Sequence, residues 1–515
     1  MGDKIYTGEG GIGHIDEEKA GSSSGGGFLS NIQARYAKVD PSSYLRRPDE
    51  TGRQYWSRRL ISLKPYELLA AEYANTELRK YLNAFQLVFL GIGAIIGTGI
   101  FVLSGQAAAQ NAGPAVTVSF IVAAIASGFA AMSYSELASM IPVSGSAYTY
   151  AYATMGEFMA WTLGWDLVLE YMIGSATVGV GWSGYFKTFF EVAFNVHFGD
   201  SWTTPPIYWN EDPAYIAYSE GSYFNVPGFV IILLVTILLC VGYIGFDSVT
   251  TAAMEAKNPR RDLPIGIMGS LVVTTLMYIG FCTVMTGAVH YSELNHPAPP
   301  TIAILAVEER TGRSFKWLNI VVALGALAGL TSVLLVQMLA QARVFYSMAK
   351  DGLLPQIFTK VHPKFKTPYV ATIIVGLITS ILSALLPVDL LGNMTSVGTL
   401  FAFFIVHCGV VVLRITRPDV DRWFKIPGPS YTWIVFPFIG GAICILLIAV
   451  AEVSTIWRLF VWMGIGWIIY FSYGIRKSRL HRDPIGRFAE VHAQQLDNKE
   501  EPDYAVQDYD YPSRT

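Results

Sequence analysis

Ten apolar runs separated by polar stretches dominate the middle of the chain. They lie at Leu87–Asn111, Ala115–Ile141, Glu157–Phe186, Val226–Ala253, Ile265–Val289, Trp317–Met348, Tyr369–Leu386, Leu391–Leu413, Thr432–Ala451 and Ile456–Tyr473. A bilayer core about 30 Å thick calls for about 20 helical residues. Each run is of that order, with Tyr369–Leu386 at the short end. None has a wholly charged face, which argues against helices lying on the membrane surface. The pattern predicts an all-α, polytopic membrane protein with about ten spans.

The flanks read differently. Residues 1–60 are rich in glycine, serine and charge and lack the apolar core of a cleavable signal, so they predict a disordered cytosolic tail. A polar, partly helical segment is expected from Leu60 to Tyr81. The membrane body is assigned to residues 78–479, and residues 480–515 to an acidic cytosolic tail. Charge sets the orientation. Arg79 and Lys80 precede the first run. Alternate loops then hold Lys257, Arg260 and Arg261; Arg343, Lys350, Lys360, Lys364 and Lys366; and Arg414, Arg417, Arg422 and Lys425. Thr188–Asn225 holds no Lys or Arg. Both termini are therefore expected in the cytosol, against a weak contrary signal at Arg310, Arg313 and Lys316. Phe198–Phe224, rich in Trp, Tyr, Pro and acids, is expected as a short ordered outer loop.

Composition narrows the function. Hydrophobic residues make up 52% of the 515 and charged residues 15%, whereas soluble domains carry about 25% charged residues. A net charge of −3 gives no reason to expect a nucleic-acid partner. Cys240, Cys282, Cys408 and Cys444 all lie in apolar runs without metal or disulfide spacing. No H-E-x-x-H or Walker motif is present, so neither an enzyme nor an ATP-driven pump is expected, and no cofactor.

Candidate chemistry begins at Gly91-Ile-Gly-Ala-Ile-Ile-Gly-Thr-Gly-Ile-Phe101, which packs four glycines into nine residues of a membrane run. Each glycine weakens a helix by about 1 kcal/mol relative to alanine. Gly97-Thr98-Gly99 reads as a point where the helix opens, with close helix packing as the alternative. Opened backbone survives in a bilayer only where it lines a cavity or meets a ligand. The N-terminus of a resumed half-helix favours an anion, and the carbonyls ending the first half favour a cation. One break thus suits a zwitterion. Gly242-Tyr-Ile-Gly245-Phe-Asp247 offers a second break, and paired breaks point to a transporter site.

Intramembrane charges cost roughly 3 kcal/mol each on insertion scales and need a reason. Asp166 and Glu170 are four residues apart on one helix face. Glu170 is the candidate partner for a substrate amine or a proton, with a structural hydrogen bond as the alternative. Asp166 is expected to be structural. Glu136 and Glu255 are expected to pair with loop cations, and His407 to be a satisfied core histidine.

At this point the chain resembles the cationic amino acid transporter branch of the amino acid–polyamine–organocation superfamily. The matching residues are Gly91 through Val102, Gly113-Pro-Ala115, Ser135-Glu-Leu-Ala138, Pro142-Val-Ser-Gly-Ser-Ala-Tyr148, Gly164-Trp-Asp-Leu-Val-Leu-Glu-Tyr171 and Gly181-Trp-Ser-Gly-Tyr185. Further matches are Tyr243-Ile-Gly-Phe-Asp247, Lys257-Asn-Pro259, Asp262-Leu-Pro264, Arg343 through Met348, Asp351-Gly-Leu-Leu-Pro355 and Gly398 through Arg414. The resemblance implies two inverted five-helix repeats, broken first and sixth helices, and alternating access. It implies that N–H groups around Gly97, Thr98 and Gly99 hold the substrate carboxylate. The carbonyls of Ile95 and Ile244, beside Gly245, would hold the ammonium, and Glu170 would read a basic side chain or take part in proton coupling.

One departure stands out. Leu239-Cys-Val-Gly runs straight into Tyr243-Ile-Gly-Phe-Asp247 where the family has a fifth helix, so an internal deletion of about two spans is expected there. The family's fifth-helix lysine is lost with it, and the place of the sixth-helix gating aromatic falls on Val241. The expected function is transport of amino acids, cationic ones first, as a secondary carrier or facilitator with protons as a candidate coupling ion. Alternatives are a non-transporting amino acid sensor or splice form, and a polyamine or neutral amino acid carrier. The expected setting is the bilayer of the plasma membrane, with a vacuolar or lysosomal membrane as the alternative; the oligomeric state is open.

Overall fold

Helices form where the apolar runs lie. The computed structural model describes residues 44, 46, 50–65, 68–69, 82–140, 146–211, 214–219, 221–240, 256–363, 367–416, 422–428, 432–482 and 484. In chain order the main elements are α1 (Gly52–Leu60), α2 (Ala84–Ile95), α3 (Val116–Met140), α4 (Ser146–Thr154) and α5 (Glu157–Phe194). A hairpin of β1 (Ile207–Glu211) and β2 (Ala214–Tyr218) follows. Then come α6 (Val226–Cys240), α7 (Pro259–Ala288), α8 (Pro299–Thr311), α9 (Lys316–Lys350), α10 (Tyr369–Leu385), α11 (Val388–Thr416), α12 (Thr432–Val450) and α13 (Val453–Ile469). Among the described residues, six helical stretches are long and apolar enough to cross a bilayer, and α2, α6 and α10 are shorter apolar helices.

The centre of the bundle is the pair α5 and α9. Helix α5 has 38 residues, about 57 Å at 1.5 Å per residue, and packs against α6, α9, α10 and α11. Small residues let those neighbours close in: a Cβ at Gly164 would stand 2.8 Å from the Met348 sulfur. Around this pair lie buried Trp161, Leu163, Leu169, Leu330 and Leu334. Facing outward are Val321 and Leu324 of α9, Val272 and Leu276 of α7, and Phe438 and Leu446 of α12. An apolar exterior is what a bilayer requires.

Several expectations need correction. Residues 52–60 do not belong to a disordered tail: they form α1, started by a Thr51–Gln54 capping box. Arg59, buried, donates to the Ile475 carbonyl, and Lys64 pairs with Asp351 at 3.2 Å. The body also extends past residue 479, since Arg479–Arg482 is helical and His481 packs edge-on to Tyr44. Helix α5 runs on from Phe186 to Phe194, because Phe186, Phe190, Phe194 and Phe198 stack on one another beyond Lys187 and Glu191. The outer segment contains an antiparallel hairpin, with Ile207 opposite Tyr218 and Glu211 opposite Ala214.

Helix α6 is described as far as Cys240, and the rest of the run predicted to Ala253 lies outside the described residues. It pairs with α10 along its whole length. The Asn225 N–H donates to the Ala384 carbonyl at one end (3.0 Å), and the Thr367 hydroxyl to the Cys240 carbonyl at the other (3.5 Å). Beyond residues 241–255, the Lys257 N–H donates to the Leu82 carbonyl (2.8 Å), just before α2.

Candidate substrate site

Helix α2 stops where the glycines predict. Its last residue is Ile95, and Ile96 turns to φ −75°, ψ 95° while its N–H still donates to the Ile92 carbonyl (2.9 Å). The helix resumes after Gly97, whose carbonyl accepts from both Ile100 and Phe101 (3.2 and 3.1 Å). The resumed segment carries two wide π turns, Gly99–Leu103 and Ala108–Ala112, flanking Ser104–Ala107. Such turns recur at functional sites. A resumed helix leaves its first N–H groups without intrahelical acceptors, and here they belong to the stretch around Gly97, Thr98 and Gly99.

Three helices wall the break. From α9, Val333 fills the space a Cβ at Gly97 would take, at 2.9 Å. From α5, a Cβ at Gly181 would lie 3.4 Å from the Thr98 methyl and 2.7 Å from Val102. From α7, the Tyr278 hydroxyl sits 2.5 Å from where a Cβ at Gly99 would be. That hydroxyl donates to the Ile95 carbonyl at 3.1 Å. Tyr185 fastens the resumed helix by donating to the Phe101 carbonyl (2.7 Å). The surroundings are apolar, with Val102, Leu330 and Val333 all buried. An anionic group fits the amide end of the break and a cationic group the carbonyl end.

The predicted site residues divide into three groups. Ile95, Gly97, Thr98 and Gly99 come together at the break. Glu170 lies on α5, eleven residues before Gly181. Ile244 and Gly245 lie outside the described residues, as does Glu255. Asp166, expected to be structural, is wholly buried, and its two carboxylate oxygens have no hydrogen-bond partner among the described residues. Glu136 accepts from Arg414 (2.8 Å) and lies 3.5 Å from Arg422. His407 is buried against the Ser133 hydroxyl (2.8 Å). Tyr278 was not singled out in the sequence: one tyrosine inside an apolar run has no distinguishing spacing, and its role shows only when α7 is laid against α2.

The chain is similar in sequence to known proteins. The sequence profile described as amino acid permease matches in two pieces, residues 82–241 and 204–470, which overlap across α6. The branched-chain amino acid permease BcaP of Bacillus subtilis is 38% identical, covering 81% of this chain and 97% of its own length. That alignment runs over 474 positions, more than the 81% of 515 residues this chain contributes. The methylthioribose transporter of the same organism is 33% identical over 82% of this chain and 99% of its own. Cationic amino acid transporter 4 of Mus musculus is 32% identical over 72% of this chain and 66% of its own.

Proposed function

We propose that this chain, which belongs to the amino acid permease family, holds its substrate by the backbone of the α2 break. As a member of that family it is a multi-pass membrane transporter for amino acids and not an enzyme. The observation that carries the proposal is the opened backbone at Ile96–Gly97, walled by α5, α7 and α9. In the proposed binding mode the N–H groups of Gly97, Thr98 and Gly99 take the carboxylate, and the Ile95 carbonyl takes the ammonium. Recognition by backbone fixes the α-amino acid core and leaves the side chain to the walls. Movement of one helix bundle against the other would then expose the site to each side in turn.

Val102, Leu330 and Val333 favour an apolar side chain, the class named for BcaP. A cationic side chain is the second reading, favoured by Glu170 and by the cationic amino acid transporter relatives. Uptake of radiolabelled leucine and arginine by transport-deficient cells decides between them. Leucine uptake blocked by excess isoleucine and little affected by arginine supports the first reading. Arginine uptake lost in Glu170→Gln supports the second.

The chain is also proposed to lack the family's fifth helix. The profile match divides at α6, the BcaP alignment is longer than the part of this chain in it, and Leu239 runs into Tyr243 within four residues. Binding without flux in a surface-delivered protein would mark it as a sensor, and rapid degradation with no binding as a defective splice form. The plasma membrane, with both termini cytosolic, is the proposed setting.

A further inference from the structure

We infer that Tyr278 occupies the place of the substrate ammonium when the site is empty, so that an amino acid binds by displacing its hydroxyl from the Ile95 carbonyl. This rests on the backbone-site reading above and adds a residue to it. Three observations converge on the tyrosine. Its hydroxyl donates to the Ile95 carbonyl at 3.1 Å, the carbonyl that ends the first half of the broken helix. Its ring is buried, held against Phe120 of α3 with centroids 4.8 Å apart, so the hydroxyl is aimed rather than free. On the resumed helix a glycine, Gly99, leaves it room: a Cβ there would fall 2.5 Å from the hydroxyl oxygen.

The physical reason for such a stand-in is the cost of an orphan carbonyl. A helix ends with acceptors that have no intrahelical donor. Away from water, an unpaired acceptor costs as much as a lost hydrogen bond or more. The tyrosine hydroxyl meets that need in the empty protein. An ammonium is a stronger donor than a phenol, because a charge-assisted hydrogen bond is about twice as strong as a neutral one. Substrate therefore wins the carbonyl, but against a competitor. Tyr278 acts through Ile95 and is a positioning residue.

Full-length protein in phosphatidylcholine–phosphatidylglycerol nanodiscs tests this with two ligands, leucine and 4-methylpentanoate, which is leucine without the ammonium. Tyr278→Phe removes the competitor and keeps the ring. Leucine should bind about fivefold tighter to the variant, while 4-methylpentanoate binds wild type and variant alike. Equal changes for both ligands, or leucine binding that is unchanged or weaker, would overturn the assignment. A second measurement does not depend on the stability of the variant. With 3-fluorotyrosine at position 278, the fluorine resonance should shift on adding leucine and stay still on adding 4-methylpentanoate; no shift with saturating leucine overturns the assignment. If neither wild type nor variant binds leucine or arginine, the backbone-site reading falls and the tyrosine assignment with it. If wild type binds and the variant binds no tighter, only the tyrosine assignment falls.

Discussion

Two regions of this molecule bury polar groups and treat them in opposite ways. At the inner end, named from the loop charges, each buried carboxylate has donors. Asp351 takes Lys64 at 3.2 Å and the Tyr148 hydroxyl at 2.8 Å, and Glu157 takes the Tyr152, Tyr470 and Ser478 hydroxyls. Glu136 takes Arg414 and the Ile426 N–H. Away from these networks the pattern reverses. The break in α2 leaves backbone groups without helical partners, and buried Asp166 has no hydrogen bond among the described residues. Satisfied networks rigidify a fold, whereas a buried polar group left open is paid for elsewhere and calls for a use. The inner end holds α1, α4, α5, α9 and α13 together; the opened backbone of α2 is the proposed ligand site.

That contrast breaks or sharpens under mutation. The largest effect should come from Asp351→Ala, which removes the carboxylate that buried Lys64 and Tyr148 share. A stability loss of about 3–5 kcal/mol is expected for one partner of a buried pair, read as a fall in the thermal midpoint in detergent. Lys64→Met with Asp351→Leu should recover most of it, and a failure to recover would mean the pair is not the source. Gly97→Ala comes next. Its Cβ would meet Val333 at 2.9 Å, and overpacking costs about 1–3 kcal/mol; leucine binding should fall far more than the midpoint does. Asp166→Asn should be neutral or stabilising by about 1 kcal/mol, because it removes a costly buried carboxylate that has no partner to lose. A clear loss of stability there would erase the distinction between the two regions.

The smallest effect concerns the outer loop. His296 accepts from the Ala298 N–H at 3.0 Å. Burial, and then the Lys187 ammonium, hold its pKa below the usual histidine value of 6.5. A depressed pKa in the folded state means that its contribution is fully present above pH 6.5 and is lost as pH falls through the lower folded value. Hydrogen exchange in residues 291–298, corrected for intrinsic rate, should therefore quicken from pH 7 to pH 5. Unchanged protection would show that His296 does not hold the loop.

Much of this was legible in the sequence, for physical reasons that differ by element. Membrane helices announce themselves by length and apolarity, and the α2 break by glycines that a plain span would not carry. Contacts between distant helices leave no such mark. Tyr278 meets Ile95 across 183 residues, and nothing in its own run singles it out. Glu170 was legible as an intramembrane charge, but how α5 packs on the resumed helix, at Gly181 and Thr98, shows only in the fold. α1 was hidden because a polar, charged helix looks like a tail until Arg59 and Lys64 are seen buried at the inner end.

The central claim is that the broken backbone reads both ends of an α-amino acid. The most direct measurement compares equilibrium binding of leucine, leucinol and 4-methylpentanoate to the wild-type chain in nanodiscs. Leucinol lacks the carboxylate and 4-methylpentanoate the ammonium. The account predicts that each binds at least about tenfold weaker than leucine, since each gives up a charge-assisted hydrogen bond to buried backbone. Leucinol binding as tightly as leucine would contradict it.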